Sequence, residues 1–191
     1  DFTLPQARES FPELNENDLV VFATPTYAGR VPNILLKYLE TIVGNGALAI
    51  PVVTFGNRNY DNSLIELRDI LENAGFHTIA GIASASQHSF SHELGKGRPD
   101  MMDIMEIRRF CTRVYNGITT NPDLTKEPVK VPGIPETYGG YYKPQDRNGV
   151  HIDIRKVTPK VNDSCTNCGY CADVCPMGSI AREDVTKMQG I

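Results

Sequence analysis

Asp18-Leu-Val-Val-Phe-Ala-Thr-Pro25 is a short apolar run without alternation, the pattern of a strand covered on both faces. The next stretch, Val31 to Val43, places apolar residues at 31, 34, 35, 38, 39 and 42. That spacing is one face of a helix, with Pro32 tolerable in the first turn and Gly44-Asn-Gly46 as its stop. Leu48 to Phe55 then reads as a second buried strand ending at Gly56. The pattern repeats: Asp61 or Asn62 caps a helix through about Asn73, with Leu64, Leu67, Ile70 and Leu71 inward. Gly75 ends it, Phe76 to Ala83 forms a third strand, and Pro99-Asp100 introduce a long helix over about 100–118. Its stripe of Ile104, Ile107, Cys111, Val114 and Ile118 is expected to face inward, which makes Cys111 a buried apolar residue. Strands alternating with helices at this spacing predict a parallel sheet with helices on both faces.

From residue 121 the character changes. Prolines at 122, 128, 132, 135, 144 and 159 and the pair Gly139-Gly140 occur without helical period. The segment 121–160 therefore reads as a connector, ordered in part where Tyr138, Tyr141 and Tyr142 pack on the first domain, with a short strand at Val150 to Val157. The organisation expected is a domain over 1–120, this connector, and a cysteine module over 161–191, with no internal repeat.

The composition narrows the classes. The chain has 191 residues, a hydrophobic content of 40% and a charged content of 22%, which suits a globular protein and excludes coiled coil and collagen-like repeats. No apolar run nears the roughly 20 residues that span a bilayer. The start, Asp1-Phe-Thr-Leu-Pro5, lacks the basic region and apolar core of a signal peptide, so a cytoplasmic location is expected. A net charge of −4 without a basic patch argues against nucleic acid, and neither nucleic acid nor membrane is an expected partner.

Four of the five cysteines fall between Cys165 and Cys175. A disulfide framework spreads its cysteines to close loops, whereas this crowding suggests shared ligation of a metal centre in a reducing compartment. Cys165-Thr-Asn-Cys168-Gly-Tyr-Cys171-Ala-Asp-Val-Cys175-Pro176 is the C-x2-C-x2-C-x3-C-P run of bacterial-type 4Fe–4S sites. Gly169 lets backbone N–H groups turn towards the sulfides, and Met177 and Ile180 offer an apolar cover. Structural zinc prefers two separated C-x2-C knuckles and fits this spacing worse. In two-cluster proteins the fourth cysteine of such a run serves the other cluster. No second run is present here, so either one cluster uses all four thiols or the sequence is part of a longer one; the second is the expectation.

Two loops follow the carboxyl ends of consecutive strands: Thr24, Pro25, Thr26, Tyr27, Ala28, Gly29 with Arg30, and Phe55 with Gly56, Asn57, Arg58, Asn59, Tyr60, Asp61. Ligands of open parallel sheets bind outside such strand ends. Tyr27 and Tyr60 could sandwich a planar ring while Gly29 and Gly56 admit backbone N–H groups to its heteroatoms. A tyrosine in such a loop is more often ordinary packing. Arg30 and Arg58 could attract an anionic partner or cofactor charge, although solvated loop arginines are commoner. His77, His92 and His151 read as structural or solvated, whereas His88 lies in a candidate third loop.

Residues 18–32, Thr54 to Asp61 and Gly97-Arg-Pro-Asp100, followed by the cysteine run, together resemble the flavodoxin–ferredoxin fusion proteins of the EFR type. The resemblance implies a flavodoxin-like doubly wound α/β domain, with strands 3-4-5 of the order 2-1-3-4-5, followed by a small ferredoxin-type iron–sulfur domain. It implies non-covalent FMN contacted by the loops at 24–30 and 55–61, a third wall at Ser84 to Ser89, and two 4Fe–4S clusters in the intact pattern. The sequence departs from the family at both ends: no phosphate-binding loop precedes Asp18, and strand 18–25 is expected to present a raw apolar edge. The expected function is electron transfer between FMN and 4Fe–4S clusters, with a redox partner protein or a small-molecule acceptor. An FMN-dependent reductase of a small organic acceptor, or a partner-binding module with structural clusters, are the alternatives.

Overall fold

The structure, a computed structural model, describes residue 2, residues 5–152, 160–175 and 178–187. The chain divides into two compact units, Glu13–Tyr142 and Asp1–Pro12 with Lys143–Ile191.

The larger unit is mixed α/β around a parallel sheet. Strand β1, Leu19–Pro25, pairs with β2, Leu48–Phe55, along its full length. Between them lies α1, Asn33–Leu39, which is shorter than its apolar spacing predicts because the chain leaves the helix at Glu40, though Ile42 stays buried. Helix α2, Ser63–Asn73, starts after Asn62 as expected and leads to β3, His77–Thr78. Strand β4, Ile82–Ala85, pairs further along the same edge of β2.

The single third strand read from Phe76 to Ala83 is thus two pieces. The break lies at Ile79 to Gly81, beside the proline-rich segment: the Val129 N–H donates to Thr78 O at 3.0 Å, and a Cβ on Gly81 would come within 2.9 Å of Val131. Arg68 holds the same segment by donating to Val129 O at 3.2 Å. A stretch without secondary-structure period therefore lines the edge of the sheet.

Coverage is unequal. On one face of the sheet Phe22, Thr24, Ala49, Pro51, Val53 and Thr78 are buried against Leu64, Leu67, Leu71 and Phe76. Phe76 itself sits over Gly44, where any Cβ would meet its ring at 2.5 Å. On the other face Leu19 and Val21 are 48% and 62% exposed. The expectation of cover on both faces fails at β1, which has no neighbour on its outer edge among the described residues.

Helix α3, Met101–Thr120, begins at Asp100, whose carboxylate accepts from the N–H groups of Met102 at 2.8 Å and Asp103 at 3.0 Å. The Asp103 side chain returns the favour to the Asp100 N–H, closing a capping box, and also pairs with Arg98. No α3 side chain is fully buried. Its half-buried side is Ile104, Ile107, Phe110 and Val114. Phe110 takes the inward place that an i+4 step from Ile107 gives to Cys111, and the thiol is exposed. Three- and four-residue steps are equally helical, so the periodicity alone does not separate these neighbours.

In the smaller unit Gln145 and His151 form an isolated bridge around a turn in which Asp146 accepts from Asn148 and Val150. Most of the strand expected at 150–157 lies outside the described residues. A short helix α4, Tyr170–Asp173, sits within the cysteine run.

The unequal cover predicts unequal sensitivity. Leu71→Ala should lower the stability of the larger unit by about 3 kcal/mol in urea unfolding, as a fully buried side chain does. Val21→Thr should change it by less than about 0.5 kcal/mol.

Candidate functional site

The cysteine run is a loop, a left-handed corner and one helical turn. Asn162 starts it, its side chain accepting from the Ser164 N–H and its carbonyl from the Cys165 N–H. Asn167 and Gly169 both have positive φ, 52° and 78°. Gly169 then caps α4, accepting from Ala172 and Asp173. Cys165, Cys168 and Cys171 are exposed, and Cys175 is half-buried with its Sγ 3.4 Å from Ser179 Oγ.

A following segment, 182–185, clasps this loop. Asn167 Nδ2 donates to Glu183 O at 3.3 Å, and its Oδ1 accepts from the Val185 N–H at 3.1 Å. Arg182 lies across Gly169, donating to Cys168 O at 3.4 Å and pairing with Asp173 at 3.0 Å. A Cβ on residue 169 would fall 1.6 Å from the movable end of Arg182, and the positive φ of 78° there favours glycine. Val185 and Ser179 are the buried side chains that anchor the clasp. The apolar cover assigned to Met177 lies outside the described residues, while Ile180 is half-buried.

Four soft sulfur donors on short loops are the donor set of an iron–sulfur cluster, and the run supplies them without help from Cys111 on the other unit. Among the described residues no three Cys, His, Asp or Glu side chains converge as a metal site. Ligation would draw the three exposed thiols inward around the corner at Gly169, which suits a site completed together with its metal.

The larger unit brings the two carboxyl-edge loops together. Tyr27 and Arg30 exchange backbone hydrogen bonds across Ala28 and Gly29, both at positive φ, which makes a two-residue hairpin of the primed type. Gly29 lies so close to Asp61 that a Cβ would meet its carboxylate at 2.5 Å. Its carbonyl accepts from Asn62 at 3.0 Å, tying the first loop to the second. Thr26 donates its N–H to Thr54 O, and its hydroxyl is 2.7 Å from that of Ser63. Thr24 is buried, and its hydroxyl has no hydrogen-bond partner among the described residues. Pro25 ends β1.

In the second loop Tyr60 packs edge-on to Phe55 with 5.3 Å between centroids, and Asn59 accepts from the Asp61 N–H. Arg58 pairs with Asp61 at 2.6 Å, and Asn57 has a left-handed backbone. Gly56 lies against His88, where a Cβ would be 2.5 Å from the ring. The third loop joins here through Ser86, whose N–H donates to Phe55 O. Tyr27 is 54% exposed at the rim.

What the sequence alone does not reveal is the strap over these loops. Arg30 forms a bidentate pair with Glu66, donating from Nε at 2.7 Å and Nη2 at 2.6 Å, and Glu66 also accepts from the Val31 N–H. The expected solvated arginine is half-buried, with its side chain 14% exposed, and its partner Glu66 is buried at 4%. The rings of Tyr138 and Tyr141 lie 5.2 and 5.1 Å from the guanidinium, and Gly139 O accepts its remaining arm. Tyr141 donates to Val31 O, Tyr142 donates its N–H to Ala28 O, and its ring faces Arg58 at 4.6 Å. Between strap and loops is a cleft of 250 Å³ lined by Ala28, Gly29, Arg58, Asp61, Tyr138 and Tyr142 among others. That is below the roughly 300 Å³ at which small-molecule pockets begin.

Comparison with known proteins bears on the smaller unit. Residues 159–181 match the family model of the 4Fe-4S binding domain. The match covers the whole cysteine run, Cys165 to Cys175. No curated protein and no solved structure matches the chain. Among the described residues no helix is long and apolar enough to cross a membrane.

The strap has two measurable consequences. Glu66→Ala should cost about 3–5 kcal/mol in urea unfolding, because Arg30 is left charged in a largely enclosed place. Tyr138, by burial and by its hydrogen bond to Asp69, is pushed up to about 12. Its raised pKa favours the protonated phenol in the folded chain, so its share of stability is complete below pH 10 and is lost as pH rises towards 12. Alkaline titration of tyrosine absorbance should show a late step that Tyr138→Phe removes.

Proposed function

We propose that the chain carries electrons between a 4Fe–4S cluster held by Cys165, Cys168, Cys171 and Cys175 and FMN resting on the loops 24–30 and 55–61. The observation that carries this reading is the match of residues 159–181 to the 4Fe-4S binding domain, on a segment whose four cysteines have the ligand spacing. When bound, such a cluster supplies one-electron chemistry at a potential set by its surroundings. The chain's own part is to hold the ligand loop in shape through Asn162, Asn167 and Gly169, and to bring fixed charge beside it.

The flavin half of the proposal draws on three features. The loops sit at the carboxyl ends of parallel strands, where open α/β sheets take their ligands. Tyr27 stands open at that rim, and the second loop carries Asn57 and Asn59 on either side of Arg58 in sequence. The EFR-type resemblance names FMN, a flavodoxin-like sheet and a second cluster for the intact pattern. A redox partner protein or a small-molecule acceptor, in a reducing cytoplasm, would complete the path.

Anaerobic reconstitution tests both halves. The protein should take up about four irons and four sulfides per chain, turn brown, and bleach reversibly with dithionite. Cys168→Ser and Cys171→Ser should each lose most of the iron. Added FMN should bind with quenching of its fluorescence, and Tyr27→Ala should weaken that binding by about tenfold, the loss of one stacking contact. Iron without flavin binding would leave a cluster protein whose larger unit has another task, and zinc without iron would overturn the reading.

A further inference from the structure

We infer that Arg182 is a positioning residue of the iron–sulfur site, which shapes the Cys168-Gly169-Tyr170 corner and sets the redox potential by its fixed positive charge. The inference rests on the cluster assignment made above and goes beyond it, since no part of the ligand spacing names Arg182. Its guanidinium is laid directly across Gly169, in the space a Cβ would need. One arm donates to the carbonyl of Cys168, a ligand of the proposed site, and the other pairs with Asp173 at the end of α4. Both sides of the corner are thus tied to one planar cation. The Asn167 side chain ties the same loop to Glu183 O and the Val185 N–H, so the segment that carries Arg182 is held in register with the thiols.

Charge at this place has a definite sign of effect. A fixed cation within a few ångströms of the ligand loop favours the more negative, reduced state, and so raises the potential. The side chain of Arg182 is 58% exposed, so solvent weakens the effect without reversing it. The pairing with Asp173 weakens it further, but Asp173 holds only the Nε side, while the Nη1 side faces the cysteine carbonyl. A lysine keeps the charge and gives up the planar fork. A neutral side chain gives up both.

The test uses the full chain reconstituted with iron and sulfide. Iron and sulfide content are measured first, then the midpoint potential by dye-mediated titration, for wild type, Arg182→Gln, Arg182→Met and Arg182→Lys. The expected result is a downward shift in the glutamine and methionine variants with the larger part restored by lysine. If both neutral variants fail to take up iron while lysine loads fully, the result also supports the inference, since charge is what separates them. An unchanged potential in the neutral variants, or an equal loss in all three, would overturn it and leave the cluster assignment standing. A wild-type protein that takes up no iron would overturn both.

Discussion

One ion pair ties the strand-end loops of the larger unit to the segment 138–142. Glu66 is almost fully enclosed in the first turn of α2, and Arg30 reaches it from the hairpin after β1. Hydrogen bonding to Glu66 raises the Arg30 pKa further and locks the charged form. A buried pair of this kind is costly to desolvate, and it is retained where every remaining donor and acceptor is satisfied. Here the carboxylate also accepts from Val31, and the guanidinium also donates to Gly139, with two aromatic rings beside it. The pair therefore does more than join a loop to a helix. It makes a socket that the distant segment 138–142 must enter, and so orders a glycine- and tyrosine-rich stretch that has no secondary structure of its own.

This explains which parts of the fold could be read from the sequence. Strands β1 and β2, helix α2 and the Asp100 cap of α3 are encoded by neighbours in the chain, through apolar period and capping residues, and their bounds fall close to expectation. The four cysteines are equally legible, because ligand spacing is a local property. Arg30 with Glu66 is a partnership across 36 positions, and Tyr138 with Asp69 across 69. No local pattern distinguishes such an arginine from a solvated one. The same reason hid the break in the third strand, whose cause is Val129 and Val131 arriving from the proline-rich segment. Cys111 failed for a narrower reason: one helical position separates it from Phe110, and the stripe could be drawn through either.

The two units solve the problem of ordering a loop by different means. On the larger one, a hydrophobic core beneath the sheet supplies the stability and the loops are added at its rim. Gly29 against Asp61 and Gly56 against His88 show how closely those loops are packed once the core exists. The smaller unit has no comparable core among its described residues: Val185 is its one buried large apolar side chain, and Ser179 and Gly169 are its other buried positions. A segment of that size ordinarily needs a staple, either disulfides or a metal. Its cysteines are too crowded for bridges that would constrain a long loop, which leaves ligation as the natural staple.

Ligation of a cluster by these cysteines would couple metal binding to the folding of the smaller unit. Exposed thiols at Cys165, Cys168 and Cys171 must give up protons and converge, and the free energy of binding offsets the cost of ordering the corner between them. The hydrogen bonds from Asn167 and Arg182 lower that cost in advance, because they already hold the left-handed corner and the end of α4. They do so from the chain that follows the cysteines, not from the larger unit. The cysteine run and the side chains that brace it, Asn167 and Arg182, thus lie within residues 162–187. The α/β unit is ordered through its own sheet, and it offers at its strand ends an open tyrosine beside two tightly tied loops.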